Sequence, residues 1–331
     1  MIHTDVIIVG GGPAGAACAW QLKQHGIDCL VLDQARFPRF KPCAGWMTPE
    51  AVNSIQLKKA DYPYSFTTFR SLKIAIKGFK INLHTAQYAI RRVEFDDWLL
   101  RRSGAPVQEH TVKSISRVGD RYVVDDEFSA TYLVGAGGTY CPVYRTFFKE
   151  DSPKSREALI AAQEEEFPYP YTDSNCWLWF LENGLPGYAW YVPKANGYVN
   201  VGVGGLAQQL HDNGDNLKRH WALLVEKLDK LGLVRNHEYQ PSAHSYYLRR
   251  DGGKIYKDHL YLVGDSAGLA TADMGEGIGA AIRSGQLAAD AIATGGVYSV
   301  KAISRYSFWP PLSKVLTSLG SSHTSSQRQK N

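Results

Sequence analysis

A β-branched apolar run, Val6-Ile7-Ile8-Val9, passes directly into Gly10-Gly11-Gly12-Pro13-Ala14-Gly15 and then into Ala16-Ala17-Cys18-Ala19. Four such residues in succession read as a strand buried on both faces, as in a parallel sheet. The small-residue stretch reads as a helix that stops at Gly26. A second apolar run, Cys29-Leu30-Val31-Leu32, ends in Asp33. Right-handed crossover rules make this unit the start of an open parallel sheet. Within Gly10-x-Gly12-x-x-Gly15 the glycines permit a tight turn, close approach to a pyrophosphate, and close helix-to-sheet packing. Pro13 suits the first helical position, where its missing N–H would be unpaired anyway. The helix N-terminus then offers free N–H groups and a positive dipole end to phosphate oxygens. Asp33 is placed to accept from a ribose hydroxyl, and its charge would repel a 2′-phosphate. FAD or NAD is therefore expected here rather than NADP.

Composition bounds the remainder. The 331 residues predict about two domains, and 44% apolar with 21% charged residues is a globular balance. Five cysteines, none spaced as CxxC, argue against a disulfide scaffold or a cysteine-rich zinc site, and no metal is expected. A net charge of +5 without basic blocks gives little support for a nucleic-acid partner. The N-terminus lacks the pattern of a secretory leader, and no apolar stretch is long enough to span a bilayer. The expectation is a cytoplasmic protein that at most lies against a membrane.

Further along, Leu72-Lys73-Ile74-Ala75-Ile76, a turn near Gly78 and Ile81-Asn82-Leu83 read as an antiparallel hairpin. Residues 93–100 read as a helix with Phe95, Trp98 and Leu99 on one face. Short strands are expected around Val112 and Tyr122-Val123-Val124, and Tyr132-Leu133-Val134 runs into Gly135-Ala136-Gly137-Gly138. Between 176 and 203 the strands are aromatic, with Trp177 and Trp179 on one face and Tyr188 and Trp190 on one face of the next strand. Leu217, Trp221, Leu224, Val225 and Leu228 form a helical stripe ending at Gly232. A strand near Ser245 to Leu248 follows, and the parallel texture returns at Leu260-Tyr261-Leu262-Val263-Gly264-Asp265. The expected class is α/β: a Rossmann-type FAD-binding domain from 1–70, 85–145 and 250–300, interleaved with an antiparallel-sheet substrate domain from 71–84 and 146–249. A C-terminal helix and a disordered tail from Ser321 would complete 301–331.

The later motifs name a family. Gly264-Asp265-Ser266-Ala267-Gly268, followed by Met274-Gly275-Glu276-Gly277-Ile278, resembles the second fingerprint of flavoproteins of the para-hydroxybenzoate hydroxylase type. There the Asp contacts the ribityl chain, and the helix N-terminus faces the flavin N1/O2 edge, where reduced flavin carries negative charge. Pro38-Arg39-Phe40-Lys41-Pro42-Cys43-Ala44-Gly45 resembles the Pro-Arg-x-Lys-x-Cys-Gly-Gly segment of geranylgeranyl reductases, with Ala44 for the first glycine. Arg92-Val93-Glu94-Phe95-Asp96 is similar to their Arg-x-x-Phe-Asp element, whose Arg reaches the cofactor; spacing favours Arg92 over Arg91. Tyr188-Ala189-Trp190-Tyr191-Val192-Pro193 resembles their Tyr-x-Trp-x-Phe-Pro motif, which lines the substrate cavity.

The resemblance implies FAD held by Gly10, Gly12, Pro13, Ala14, Gly15, Asp33, Gln34, Lys41, Cys43, Ala44, Gly45, Arg92, Val112, Gly264, Asp265, Gly275, Gly277 and Ile278. Cys43, Tyr188 and Trp190 are the catalytic candidates, and Cys43 reads equally well as a structural thiol. Reduced flavin would pass hydride to a C=C bond of a hydrophobic, prenyl-like lipid held against Tyr188 and Trp190. The proton would come from Cys43, a tyrosine or water. Two alternatives stay open: a flavin-dependent monooxygenase or halogenase, and a non-catalytic flavin-binding electron carrier. Gly137 stands where flavoprotein hydroxylases carry an Asp, and Tyr188 where halogenases carry a Trp, so the monooxygenase alternative loses support; Arg145 is retained. No second dinucleotide fingerprint is present, so an external donor, NAD(P)H or a ferredoxin-like protein, is expected.

Overall fold

The computed structural model describes residues 1–307. Within them 301–307 are turn and bend, and the C-terminal helix and tail expected beyond lie outside the described residues. Two eight-stranded sheets carry the fold.

In the first, Ile2–Val9 is central, pairing in parallel with Cys29–Asp33 on one side and Phe128–Gly135 on the other. Val107–Glu109 extends the sheet beyond Cys29–Asp33, and Leu260–Leu262 beyond Phe128–Gly135, both in parallel. The apolar run is uninterrupted because both faces are covered. Val6 and Ile8 pack under the helices Pro13–Gln24, Arg92–Arg102 and Ile278–Thr294. Ile7 and Val9 pack against Tyr122, Val124, Val143 and Tyr144 on the opposite face. Chain direction then brings Gly10, Asp33, Ala136 and Gly264 to one rim, the carboxyl ends of the strands, where open α/β sheets place ligands.

The second sheet runs Ser242–Tyr247, Leu159–Pro168, Tyr198–Leu206, Gly187–Lys194, Cys176–Phe180, Phe66–Ile76, Phe79–Ile90, Trp46–Met47. Leu217–Lys230 covers its outer face through Trp221, Leu224 and Leu228. The inner face carries Leu72, Ile74, Ile76, Leu178, Phe180, Trp190 and Val192 and looks toward the rim of the first sheet.

The structure departs from the sequence reading at four places. The hairpin expected over 71–84 spans Phe66–Ile76 and Phe79–Ile90, because its outer ends alternate imperfectly around exposed Arg70 and His84. The second sheet is antiparallel except where Cys176–Phe180 runs parallel to Phe66–Ile76, strands too distant in sequence for a turn to set their direction. Val112 lies in coil rather than strand; the strand here is Val107–Glu109. The last parallel strand stops at Leu262, since Gly264 adopts positive φ and starts a single turn of 3₁₀ helix.

The first sheet is locked by contact between Pro13–Gln24 and Ile278–Thr294. A Cβ on Gly285 would overlap the Ala14 carbonyl oxygen, a backbone atom with no freedom to move aside. Alanine improves helix propensity by about 1 kcal/mol, whereas overpacking costs about 1–3 kcal/mol, and a backbone clash takes the upper end. Gly285→Ala is therefore expected to lower the melting temperature by several degrees. Thermal denaturation followed by circular dichroism checks it.

Candidate functional site

Between the rim of the first sheet and the inner face of the second lies a cavity of about 920 Å³. Of the residues expected at a cofactor, Gly10, Gly12, Pro13, Ala14, Asp33, Gln34, Lys41, Cys43, Ala44, Arg92, Val112, Asp265, Gly275, Gly277 and Ile278 line it, as do Tyr188 and Trp190. Gly15, Gly45 and Gly264 do not. A Cβ on Gly15 would overlap the Gly10 carbonyl, and one on Gly45 the Ile90 carbonyl; one on Gly264 would press on Ala14 and Ala281 at 3.1 and 3.2 Å. These three serve close packing behind the cavity wall.

The glycine-rich end is built to receive an anion. Gly10 has φ +111°, and Gly12 precedes the helix with no side-chain cap. Asp33 ties the loop down, its Oδ2 accepting from the Gly11 N–H at 2.7 Å and its Oδ1 from the Ala35 N–H at 2.9 Å. A carboxylate has about four lone-pair sites, so capacity remains for a hydroxyl donor. Arg39 leans over the loop, with Nη2 3.3 Å from where a Gly12 Cβ would stand. Its Nη1 is buried without a hydrogen bond, although it lies 3.4 Å from Asp96 Oδ2. A guanidinium whose Nη2 leans over an uncapped helix N-terminus fits a diphosphate.

Arg92 rather than Arg91 faces the cavity. It begins its helix and is gripped by Asp96 through two hydrogen bonds of 2.7 Å each. Burial works against its charge, but Asp96 and the neighbouring Cys43 outweigh it and hold the guanidinium protonated. The Arg-x-x-Phe-Asp element is thus one fixed cation with its own counter-charge, and Phe95 anchors it in the core. Arg91 turns away to Glu166 and Glu94.

The opposite end is aromatic. Trp190 lies across Gly202, where any Cβ would strike the indole, and donates to Asn200 Oδ1 at 2.7 Å. Tyr188 packs on Trp190 at 5.6 Å and donates to the Met274 carbonyl at 2.5 Å. Burial pushes the Tyr188 phenol far above its usual range, and its proton is already committed, so both rings act as wall. The Cys43 carbonyl lies 3.5 Å from Asn200 Nδ2, and the Gly45 N–H points at the Cys43 sulfur at 3.4 Å.

Three groups here escaped the sequence reading. Glu164 is 2% exposed and lines the cavity, meeting only Asn200 Nδ2 at 3.4 Å. Burial drives its carboxyl up to about 7 against the pull of Lys194. His244, on the adjoining strand, has a buried Nδ1 with no partner. Burial, then Lys41 and Arg92, push it down to about 4, so it is neutral at pH 7. Glu276 accepts from the Gly279 N–H at 2.7 Å and occupies part of the N-terminus of Ile278–Thr294. Burial raises it to about 7 despite that bond. In sequence, Glu164 sits in a run of three glutamates that reads as a solvated face; only the pairing of Glu164 with Gly202 turns it inward.

Residues 8–73 match the NAD(P)-binding Rossmann-like domain family. Among curated relatives, an uncharacterized protein of Methanosarcina barkeri is 32% identical over 91% of this chain and 78% of its own length. A menaquinone reductase of Mycolicibacterium smegmatis is 29% identical over 94% and 80%. A digeranylgeranylglycerophospholipid reductase of Methanopyrus kandleri is 27% identical over 86% and 79%. The crystal structure of a geranylgeranyl bacteriochlorophyll reductase-like protein from Thermoplasma acidophilum superposes with a TM-score of 0.77 at 20% identity, covering 98% of this chain and 84% of that one. It shares the fold.

Glu164 also carries a stability consequence. Its folded value of about 7 lies above the ordinary 4.5, so as pH rises the unfolded chain releases the proton first. Folding stability therefore declines between those values, and the deficit is complete above the folded one. Glu164→Gln is expected to stabilise the protein at about pH 8 by roughly 3 kcal/mol and to change little near pH 4. Melting temperatures of both proteins across that range check the sign.

Proposed function

The chain belongs to the geranylgeranyl reductase-like superfamily of flavin-dependent oxidoreductases, and from that premise we propose that it binds FAD and reduces C=C bonds of a hydrophobic, prenyl-like substrate. The observation that carries this reading is the continuity of one cavity, from the Gly12–Arg39 anion seat to the wall of Leu178, Tyr188, Trp190 and Val192. A dinucleotide and an apolar chain would meet inside it. Two relatives, a menaquinone reductase and a digeranylgeranylglycerophospholipid reductase, support the substrate class.

In this reading Gly10, Gly12, Pro13 and Arg39 hold the diphosphate, Asp33 the adenosine ribose, and Asp265 the ribityl chain. Arg92, Lys41, Cys43 and Ala44, which line the same cavity, would hold the isoalloxazine. Reduced flavin, when bound, supplies the hydride. Tyr188 and Trp190 orient the alkene and exclude water, their polar atoms being spent on Met274 and Asn200. Glu164 holds the proton that the second carbon requires, on a carboxyl still protonated near neutrality. Cys43, which lines the same cavity, would help hold the cofactor rather than supply the proton. Electrons come from an external donor, NAD(P)H or a ferredoxin-like protein.

Purified protein given FAD should show a bound flavin absorption band. After anaerobic chemical reduction, addition of a geranylgeranyl lipid should reoxidise it, and the recovered lipid should carry two more hydrogens by mass spectrometry. Absence of reoxidation across a prenyl panel, or oxygen consumption coupled to hydroxylated or halogenated product, would overturn the reading. Removing the guanidinium by Arg39→Met deletes charged hydrogen bonds of about 1.5–3 kcal/mol, so FAD should bind at least about tenfold more weakly; titration by fluorescence quenching checks this. With Glu164→Gln the reoxidation rate should fall and lose its decline above about pH 7, while the FAD affinity stays unchanged.

A further inference from the structure

We infer that the hydrophobic substrate carries a carbonyl oxygen beside the C=C bond it presents, and that His244 is the side chain that recognises this oxygen. The inference rests on the prenyl-reductase reading and deepens it by naming the polar part of the substrate. A pure hydrocarbon would need only the aromatic wall, whose own polar atoms are spent: Tyr188 on Met274 and Trp190 on Asn200. His244 is different. Its ring lines the cavity, and its Nδ1 is buried without a hydrogen-bond partner. Covering a polar atom in this way is costly, so an apolar side chain would serve a wholly apolar occupant better. With Nδ1 covered, Nε2 is the nitrogen left for an occupant.

The strand register places His244 beside Glu164. On the paired strands Ser242–Tyr247 and Leu159–Pro168, His244 stands opposite Ala162 and Ser242 opposite Glu164. Residues two apart on a strand share a face, so His244 and Glu164 are diagonal neighbours, roughly 7–8 Å apart at the backbone. What lies between them is small. Ala162 lines the cavity and pairs with Gly204 on its other side. A Cβ on Gly204 would meet Ala162 at 3.5 Å and Trp190 at 3.6 Å, both ordinary contacts, so packing does not fill this space. The result is a recess bounded by His244, Glu164 and Trp190. Tyr246, two residues along the same face, stacks on the imidazole with centroids 5.8 Å apart and fixes its plane.

Protonation selects the group that fits. Burial first, then Lys41 and Arg92, hold His244 down at about 4, so the ring is neutral at pH 7 and carries one N–H. A covered lone pair is commoner in proteins than a covered N–H, which puts that hydrogen on Nε2. Glu164, raised to about 7 by burial, offers an O–H in its protonated form and accepts from Asn200 Nδ2 at 3.4 Å. Two neutral donors on one recess call for an acceptor. A phosphate or carboxylate would be repelled whenever Glu164 ionises, and a hydroxyl would bring a further donor. A carbonyl oxygen suits both groups. In the reaction, the alkene carbon farther from the carbonyl would gain the hydride of reduced flavin, and the nearer carbon the Glu164 proton. His244 would keep its hydrogen and draw electron density onto the oxygen.

The test uses the oxidised, FAD-loaded full chain and three labelled probes: geranylgeranial, geranylgeraniol and an oxygen-free polyprene of the same chain length. By equilibrium dialysis in dilute detergent, geranylgeranial should bind about tenfold or more tightly than the polyprene. His244→Phe should erase that difference while flavin uptake and melting temperature are retained. His244→Gln, whose Nε2 donor reaches a similar position, should restore most of it. In the unsubstituted protein, the infrared carbonyl stretch of bound geranylgeranial should lie below its value in hydrocarbon solvent, a readout that stands even if the phenylalanine variant does not fold. Equal affinity for aldehyde and polyprene, tighter binding of the alcohol, discrimination that survives His244→Phe, or an unshifted carbonyl stretch would each overturn the inference. These measurements involve no turnover. If the polyprene reoxidises reduced flavin as fast as geranylgeranial, this inference falls and the prenyl-reductase reading stands; if neither reoxidises it, that reading falls on its own.

Discussion

Everything at the site depends on two approaches of backbone to backbone that no side chain could survive. Gly15 lets the first helix sit against the Gly10 carbonyl, and Gly285 lets the last helix sit against the Ala14 carbonyl. The two helices come from opposite ends of the described chain, yet the second contact draws the N-terminal half of one against the body of the other. Because each follows a parallel strand of one sheet, their N-termini open on the same rim. Two positive dipole ends then face one cavity, an arrangement that favours bound anionic groups. A hydrophobic core alone would not produce it, since burial is non-directional; the glycines set the distance.

The second sheet solves a different problem: how to bring polar chemistry into an apolar wall. Its inner face is mostly aliphatic and aromatic, and the polar groups it admits are arranged around the vacant Cβ of Gly202. Trp190 fills that gap, Asn200 takes its N–H, and Asn200 turns its own amide toward Glu164 and the Cys43 carbonyl. The adjacent Glu166 is ionised, held low by Lys194 and Arg91, which overcome its burial. Two glutamates two residues apart on one face thus differ in protonation, because one has direct cationic partners and the other has a single long amide contact. A third glutamate between them faces outward to His237. This is the way paired acids acquire separate roles in active sites, through environment rather than residue type.

Local pattern made much of this legible in advance. The N-terminal unit could be read because glycine spacing, a β-branched run and a terminal Asp each depend on near neighbours, and the fold follows from them. Arg92 could be favoured over Arg91 because its spacing matches the Arg-x-x-Phe-Asp element; its grip by Asp96 is seen only in the structure. The aromatic wall could be read because strands alternate. What escaped depends on partners remote in sequence. Glu164 acquires its burial from Gly202 and its neighbour His244, across two strand pairings that no local signal specifies. The parallel junction of Cys176–Phe180 with Phe66–Ile76 is likewise a long-range choice. A strand is expected around Val112, but the strand lies at Val107–Glu109 and Val112 is in a cavity-lining coil. Arg39 stood inside a recognised motif, yet its unsatisfied nitrogen is visible only once Gly12 and Asp96 are placed around it.

The two ends of the cavity also divide the electrostatic work, a division that suits the dinucleotide and the lipid of the proposed function. At the glycine-rich end charged groups are held in place: Arg39 and Arg92 around Asp96, with Asp33 fixed by backbone N–H groups. Fixed charge there costs little, because a diphosphate would supply the missing counter-ion. Toward the aromatic wall, burial works against charge on the groups that could carry it, leaving His244 neutral at pH 7 and raising the Glu164 carboxyl to about 7. An ionised carboxylate facing an alkene would be a desolvated charge without a partner, which costs several kcal/mol or shifts its own protonation first. The apolar wall therefore does two things at once. In the proposed reaction it would bind the hydrophobic chain and hold the Glu164 carboxyl toward the protonated form that the reduction uses.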